Sequence, residues 1–198
     1  MSPLTDVVCS LPAVNQTRRL VTPFAEGVVL EPGIGSGLNL AHYDKGAVSR
    51  IIGLDPQESL LKLARRRAAQ TELDVEFIAG PAEDVPLDDH SVDTVLLTYT
   101  ACSIPGVEQA LTEFRRVLKP SGRLLFCEHG RAPERRVARF QDAFNPLWSR
   151  FAGGCNLNRE IVKLLSDAGF SVEKSESFYA MPRPKFLAYH YVGAARPR

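Results

Sequence analysis

The sequence predicts an α/β fold built on a central, mostly parallel β-sheet. Short apolar runs alternate with amphipathic helical segments along most of the 198 residues, which is the pattern of strand–helix–strand units. A glycine-rich turn directly follows the first apolar run, at residues 33–37. The last two strand-like segments are joined by residues 180–185, which leave no room for a crossover helix. We therefore expect these two strands to pair in antiparallel fashion.

The composition and the N-terminal residues argue against a nucleic-acid-binding, membrane-spanning or secreted protein. Hydrophobic residues make up 44% of the chain and charged residues 24%, with a formal net charge of +1, so we predict no nucleic-acid partner, which would require a basic surface. The longest apolar runs fall short of the ~18–20 residues that a membrane-spanning helix needs. Residues 1–6 lack the charged and apolar regions of a secretory signal. We expect one cytoplasmic domain over residues 1–198, and no sequence feature specifies an oligomeric state.

The four cysteines stand far apart in the chain, with no spacing typical of a metal site. They are Cys9, Cys102, Cys127 and Cys155. In a cytosolic protein such cysteines are expected to be reduced. The sequence therefore predicts four separate thiols and no metal site.

The first strand, residues 28–31, ends in Glu31 and leads into Gly33, Gly35 and Gly37. Glycines are needed where the backbone takes a positive φ or must lie directly against a ligand. In register with either of the first two glycines, the third glycine of a dinucleotide fingerprint would fall on a leucine. The spacing thus disfavours a nicotinamide oxidoreductase and predicts a different ligand-binding turn.

A second buried strand, residues 50–54, ends in Asp55, which Pro56 follows. An acid at the end of the second strand of a doubly wound sheet can accept hydrogen bonds from both ribose hydroxyls of a nucleoside. The alternative is an N-cap on a helix over residues 56–70. The glycine turn upstream favours ribose binding, although one carboxylate can serve in both ways.

The other elements follow from the same periodicity. Polar side chains come directly after two of the predicted strands: Thr98 and Tyr99 at one, Glu128 and His129 at the next. The carboxyl ends of parallel strands share one edge of the sheet, where ligands bind. The predicted ranges are strands at 75–79, 92–98, 124–128, 171–178 and 186–192 and helices at 15–20, 107–118, 135–144 and 159–168, with a break at 145–148.

Residues 28–192 resemble the class I S-adenosylmethionine (SAM) methyltransferases. The resemblance rests on the acid and glycines of the first turn and on two further phrases, residues 91–96 and 116–123. Within this class the chain is more similar to the methyltransferase-like-seven group, the thiol S-methyltransferases, and to their soluble relatives. The phrases that carry this closer likeness are Cys102-Ser103, Glu128-His129, residues 145–148 and residues 154–160.

The resemblance implies a Rossmann-like, seven-stranded sheet of order 3-2-1-4-5-7-6, with helices on both faces and only the last strand antiparallel. It implies SAM as cofactor and a small-molecule acceptor, with a thiol preferred. In this family residues 1–27 would cover the cofactor, the alternative being a loosely packed leader, and residues 131–158 would form a substrate-side insert. The group's hydrophobic N-terminal anchor is missing here, so we expect no membrane attachment.

The resemblance also assigns residues to the cofactor. The predicted set is Glu31, Gly33, Gly35, Gly37, Asp55, Pro56, Ala82, Glu83 and Thr98. Pro81 stands where the family often has the aspartate that holds the adenine amino group. Contact with the adenine is therefore expected from backbone groups at Ala82 or from Glu83.

On the acceptor side, His129 is the candidate for a catalytic base, because an ordinary histidine titrates near neutral pH. The alternative is a histidine that is only hydrogen-bonded at the sheet edge. Glu128 would orient His129 or bind the substrate. Tyr99 and Trp148 would wall the substrate pocket, although core packing is favoured for Trp148.

Four residues at or directly after the end of the insert are expected to be structural. Methyl transfer from SAM needs no covalent enzyme intermediate, so Cys155 is interpreted as structural. Asn156 and Arg159 are predicted to brace the helix that follows, with Asn158 as its cap. Two other functions remain open: methylation of a quinone or phospholipid head group, and a SAM-binding module without catalysis.

Overall fold

The computed structural model describes residues 12–198, so Cys9 and the start of the predicted 1–27 cap segment lie outside the described residues. Within this range the chain forms a seven-stranded sheet. The strands are β1 (Gly27–Pro32), β2 (Val48–Asp55), β3 (Val75–Ala79), β4 (Val92–Thr98), β5 (Leu118–His129), β6 (Phe170–Tyr179) and β7 (Tyr189–Pro197). The α-helices of the same range are α1 (Pro12–Arg18), α2 (Glu58–Ala68), α3 (Val107–Val117), α4 (Arg135–Phe151), α5 (Ile161–Asp167) and α6 (Lys185–Ala188).

The strand order is β3-β2-β1-β4-β5-β7-β6, which confirms the predicted fold. The first five strands of the chain pair in parallel, while β7 runs antiparallel to both β5 and β6. The direction of chain progression reverses between β1 and β4. In open parallel sheets this switch point opens a crevice at the carboxyl ends of the strands, where ligands bind.

Helices cover both faces of the sheet because each central strand is apolar on both sides. Neighbouring residues such as Leu96 and Leu97 are both buried yet belong to separate core clusters, as the two-residue period of a strand requires. The cluster that contains Leu96 includes Val14 of α1 and Leu61 of α2. The other cluster is closed by α3, where Phe114 is fully buried. Among residues 12–198, none of the helices has both the length and the hydropathy to cross a bilayer.

Helix α4 is longer than predicted, because it runs through Pro146 instead of ending before the expected break at 145–148. Proline removes one helical hydrogen bond and usually ends or kinks a helix. Here aromatic packing spans the proline: the ring centroid of Phe144 lies 6.2 Å from that of Trp148 and 5.7 Å from that of Phe186 in α6. The first contact is an i,i+4 contact within the helix that bridges Pro146, and the second packs α4 against α6.

The last strand begins later than predicted. Residues 185–188 form the single turn α6, and β7 then extends to Pro197, well beyond the predicted end at residue 192. The part of β7 after residue 192 was not predicted because it is rich in small residues, which have little strand propensity. A Cβ at Gly193 would overlap the Lys174 carbonyl of β6, so the close approach of these strands explains the small residue.

The starts of β5 and α5 also differ from the predicted positions. Strand β5 begins at Leu118 and not at residue 124, and its pairing with β4 jumps from Leu118 to Arg123 around a bulge. Helix α5 begins at Ile161, and Asn158 does not cap it, since its side chain donates to Asp142 Oδ1 at 3.0 Å. In both places long-range contacts override the local signal for a turn or a cap.

Candidate active site

The glycine turn after β1 has the backbone that its sequence demands. Gly33, Gly35 and Gly37 have φ values of +66°, +57° and +81°, a region that side chains with a Cβ rarely adopt. A Cβ at Gly33 would overlap the Thr100 side chain. A Cβ at Gly37 would lie 3.2 Å from the backbone of Ala64 in α2. The missing side chains let the turn lie directly against β4 on one side and α2 on the other.

Asp55, at the end of β2, joins this turn to the next one. Its Oδ2 accepts the backbone N–H of Gly35 at 3.1 Å, and its Oδ1 accepts that of Gln57 at 2.8 Å. Gln57 is the N-cap of α2, so Asp55 holds the turn before the helix and does not cap the helix itself. Burial raises the pKa of Asp55, and the two backbone N–H groups partly offset this. Each oxygen keeps a further lone pair for a ligand.

A cavity of about 340 Å³ lies at the carboxyl ends of the first four strands. Its walls combine the apolar side chains of Leu54 and Ile104 with the Asp55 carboxylate. Five of the predicted cofactor residues line it: Gly33, Asp55, Pro56, Ala82 and Glu83. Glu83 also holds the start of α3, because its Oε1 accepts the Gly106 N–H at 2.9 Å.

Glu31 and Thr98, two other predicted cofactor residues, belong to a buried polar network beside the turn. Asn39 donates to Glu31 Oε1 and to the Thr98 hydroxyl, both at 2.8 Å, and Tyr43 donates to Glu31 Oε2 at 2.6 Å. Arg18 of α1 donates to Asn39 Oδ1 at 3.1 Å and to the Thr98 hydroxyl at 2.9 Å. Burial raises the pKa of Glu31 to about 7, despite these neighbours.

Tyr99 follows β4 with a positive φ of 54°, a strained backbone for a residue with a side chain. Its hydroxyl bonds to the Thr17 hydroxyl of α1. The Arg18 guanidinium lies 4.9 Å from the centre of its ring. Burial raises its pKa well above the usual value. Tyr99 therefore fixes α1 to the end of β4, a role that was not predicted from the sequence.

Cys102, His129 and Cys155 form a cluster that the sequence analysis missed. Their potential ligand atoms all lie within 4.8 Å of one another, and His129 Nε2 lies 3.1 Å from Cys155 Sγ. Trp148 donates its indole N–H to Cys155 Sγ at 3.4 Å. The three groups come from the ends of β4 and β5 and from the turn after α4, so 26 or more positions separate successive members.

The cluster shifts the ionisation of its members. The hydrogen bond from Cys102 holds the pKa of Cys155 well below its usual range, and His129 adds to this against the effect of burial. Burial, the largest single effect, lowers the pKa of His129, but the charge and hydrogen bond of Cys155 and the charge of Glu128 together outweigh it, so the net shift of this pKa is upward. Both shifts favour an ion pair between a Cys155 thiolate and a His129 imidazolium. The sequence analysis interpreted Cys155 as structural and did not anticipate its contact with His129.

Glu128 is fully buried and supports the loop that carries Cys102. Its Oε1 accepts the backbone N–H groups of Thr100 at 2.7 Å and Ala101 at 3.0 Å. Its Oε2 has no hydrogen-bond partner among residues 12–198. Burial raises the pKa of this carboxyl to about 7. The structure thus gives Glu128 a backbone-holding role beside the two roles considered from the sequence.

Asn156 and Arg159 brace this same loop, and not the following helix as predicted. Asn156 donates its side-chain N–H to the Cys102 carbonyl at 3.0 Å. Arg159 donates to the carbonyls of Ala101 and Ile104. The sequence did indicate that Cys102 and His129 lie near each other, because both follow parallel strands whose carboxyl ends share one edge of the sheet. No local pattern, however, marks Cys155 as a neighbour of His129.

Comparisons with known proteins agree with this architecture. The family described as "Methyltransferase domain" matches residues 30–126. Human thiol S-methyltransferase TMT1B is 37% identical over 161 residues, 79% of this chain and 65% of that protein. Human thiol S-methyltransferase TMT1A is 34% identical over 171 residues, 84% of this chain and 69% of that protein.

Two further matches widen the comparison. Demethylmenaquinone methyltransferase of Clavibacter sepedonicus is 33% identical over 173 residues, 87% of this chain and 66% of that protein. A SAM-dependent methyltransferase structure from Methanosarcina mazei superposes with a TM-score of 0.69 at 21% identity, covering 87% of this chain and 93% of that one. The chain spans 65% of the length of the TMT1B relative. On these similarities, this chain belongs to the SAM-dependent methyltransferase family.

Proposed function

We propose that this protein transfers the methyl group of SAM to a small-molecule thiol. One observation carries the proposal: the cavity that holds the Asp55 carboxylate is also lined by Ser103 and Gly153, which lie within two residues of Cys102 and Cys155 in the chain. The family accounts for the cofactor. The names of the human relatives, both thiol S-methyltransferases, support a thiol as the acceptor.

The residues of the cavity fit SAM. The free lone pairs of Asp55 match two vicinal ribose hydroxyls. Positive φ values at Gly33, Gly35 and Gly37 form a tight turn beside Asp55, and Gly33 lines the cavity. Leu54 and Ile104 provide apolar walls for a flat ring. We assign Gly33, Gly35, Gly37, Asp55, Pro56, Ala82 and Glu83 to the cofactor, with Glu31 and Thr98 as residues that position the turn through Asn39.

When bound, SAM supplies a methyl group on a sulfonium, which is a good leaving group. The chain must therefore align the acceptor and exclude water, and alignment can lower a barrier by roughly 7–11 kcal/mol. A thiol with a pKa near 8.5 is only partly ionised at neutral pH. We assign to His129 the task of favouring the thiolate, either as a base or as the ligand of a metal ion.

Two segments contact residues that follow β4 or belong to the cluster of Cys102, His129 and Cys155. Residues 12–27 place Thr17 and Arg18 against Tyr99. The insert, residues 131–158, places the Trp148 indole against Cys155. We propose that the first segment is a cap and the second a substrate-side wall.

A quinone acceptor is the second candidate, because one observation favours a large apolar substrate. Helix α4 exposes Phe140, Leu147 and Phe151 by 50%, 54% and 68%, and exposed apolar side chains that share one element often mark a binding surface. The demethylmenaquinone methyltransferase relative agrees with this alternative.

The test is methyl transfer from labelled SAM to single acceptors: an alkyl thiol, an amine, a phenol and a demethylated quinol. We expect the methyl thioether as the main product and a loss of turnover in Asp55→Ala. Transfer to the quinol alone would establish the second candidate. Tight SAM binding without turnover on any acceptor would identify a non-catalytic SAM-binding module and contradict the proposal.

A further inference from the structure

Three side chains that follow β4, β5 and α4 offer a recognisable set of metal ligands. They are two cysteine sulfurs and one histidine nitrogen, from Cys102, Cys155 and His129. Catalytic zinc sites use three protein ligands of this kind and keep a fourth position open. We propose that this cluster binds one Zn²⁺ ion and that the open position takes the sulfur of the acceptor thiol, an inference that rests on the proposed function.

The spacing of the three groups suits a tetrahedral ion. Zinc bonds of about 2.0–2.3 Å place neighbouring ligand atoms about 3.5–3.8 Å apart. The ligand atoms here lie within 4.8 Å of one another, and His129 Nε2 is 3.1 Å from Cys155 Sγ. Side-chain rotations that change these separations by up to about 1 Å are enough to accommodate the ion.

The surroundings resemble those of a metal ligand shell, in which outer groups orient the inner ones. Trp148 donates an N–H to Cys155 Sγ at 3.4 Å. Ser103 Oγ lies 3.3 Å from Cys102 Sγ. The main chain of Cys102 is fixed by the side chain and backbone N–H of Asn156, at 3.0 and 2.8 Å.

The open position would face the cavity. Ser103 and Gly153 line the cavity, and they are one and two residues away from Cys102 and Cys155. An acceptor thiol that takes this position gives up its proton to solvent and binds as the thiolate. The metal would thus supply the activation that a base would otherwise provide, with His129 as its ligand.

The experiment measures zinc in the full chain, purified in the presence of a phosphine reductant. We expect about one Zn²⁺ per chain in the wild type. Replacement by Co²⁺ should give the visible and near-ultraviolet bands of tetrahedral thiolate coordination. The ligand variants Cys102→Ser and Cys155→Ser should weaken zinc binding at least 100-fold. Cys127→Ser is the matched control, because this buried free thiol of β5 lies outside the cluster.

Several outcomes would overturn the proposal. One is a wild type that binds no Zn²⁺ at micromolar concentration. Another is a Cys127→Ser variant that loses as much affinity as Cys155→Ser. SAM binding, measured on the same samples, shows that each variant is folded. Thiol methylation that persists without metal would support the proposed function and contradict the zinc site. Stoichiometric zinc without thiol methylation would support the zinc site and contradict the proposed function.

Discussion

Replacing Asp55 by alanine probes the cofactor site most sharply. The carboxylate accepts two backbone N–H groups, from Gly35 and Gln57, and we propose that its free lone pairs accept both ribose hydroxyls of SAM. Hydrogen bonds to a charged group contribute about 1.5–3 kcal/mol each. In the variant, water in the space left by the carboxylate can pair the ribose hydroxyls in part. We therefore expect a net loss of about 2–4 kcal/mol in the free energy of SAM binding, or roughly 30- to 1,000-fold in affinity.

The assay is calorimetric titration with S-adenosylhomocysteine and its 2′-deoxy analogue. In the wild type the missing hydroxyl should weaken binding, whereas in Asp55→Ala the two ligands should bind alike. This comparison separates lost ribose contact from a disturbed glycine turn. Asp93→Ala is the matched control, because Asp93 also accepts a backbone N–H, from Val28 at 2.9 Å, but at the opposite end of the sheet. If folded Asp55→Ala binds within threefold of the wild type, the ribose role is refuted.

Three other changes test the support of the site and the core. Arg18→Ala should cost about 1–3 kcal/mol of unfolding free energy, because buried hydrogen bonds are lost, whereas exposed Arg19→Ala should change it by about 0.5 kcal/mol or less; urea titration measures both. The pKa of Glu31 is about 7 in the folded chain and 4.5 as its ordinary value. The protonated side chain therefore stabilises the fold fully below pH 4.5, and this stabilisation is lost as the pH rises through 7. Glu31→Gln should therefore flatten the fall in unfolding free energy from pH 5 to 8 by about 3 kcal/mol, and an unchanged slope would contradict this. Phe114→Ala, in the core, should cost about 3–5 kcal/mol, and Phe24→Ala, at a side chain that is 61% exposed, about 1 kcal/mol or less in the same titration.

The sheet and the cofactor turn could be predicted because their signals are local. An apolar run predicts a buried strand, and glycines at 33, 35 and 37 predict a turn that needs positive φ values. The proline-rich link at residues 180–185 predicted the antiparallel hairpin for the same reason, since chain length alone forbids a crossover. The observed strand order confirms these predictions.

The acceptor side could not be predicted in this way, because it depends on long-range contacts. Pro146 predicts a helix break, and the packing of Phe144 against the distant Phe186, which accompanies the continuous helix, is not visible in the sequence. Cys155 reads as an isolated thiol until the fold brings it to His129. Arg18 carries no motif, yet it links α1 to the network around Glu31. Spacing in sequence does not report any of these contacts.

A competition between two acceptors shows which class of substrate this protein methylates. An alkyl thiol and a demethylated quinol, at equal concentrations, are offered together to the wild-type chain with methyl-labelled SAM. If the acceptor is a thiol, most of the label should appear in the methyl thioether. Cys155→Ser should lower this product far more than Cys127→Ser does. Label that accumulates in the quinol, with both variants alike, would contradict a thiol acceptor.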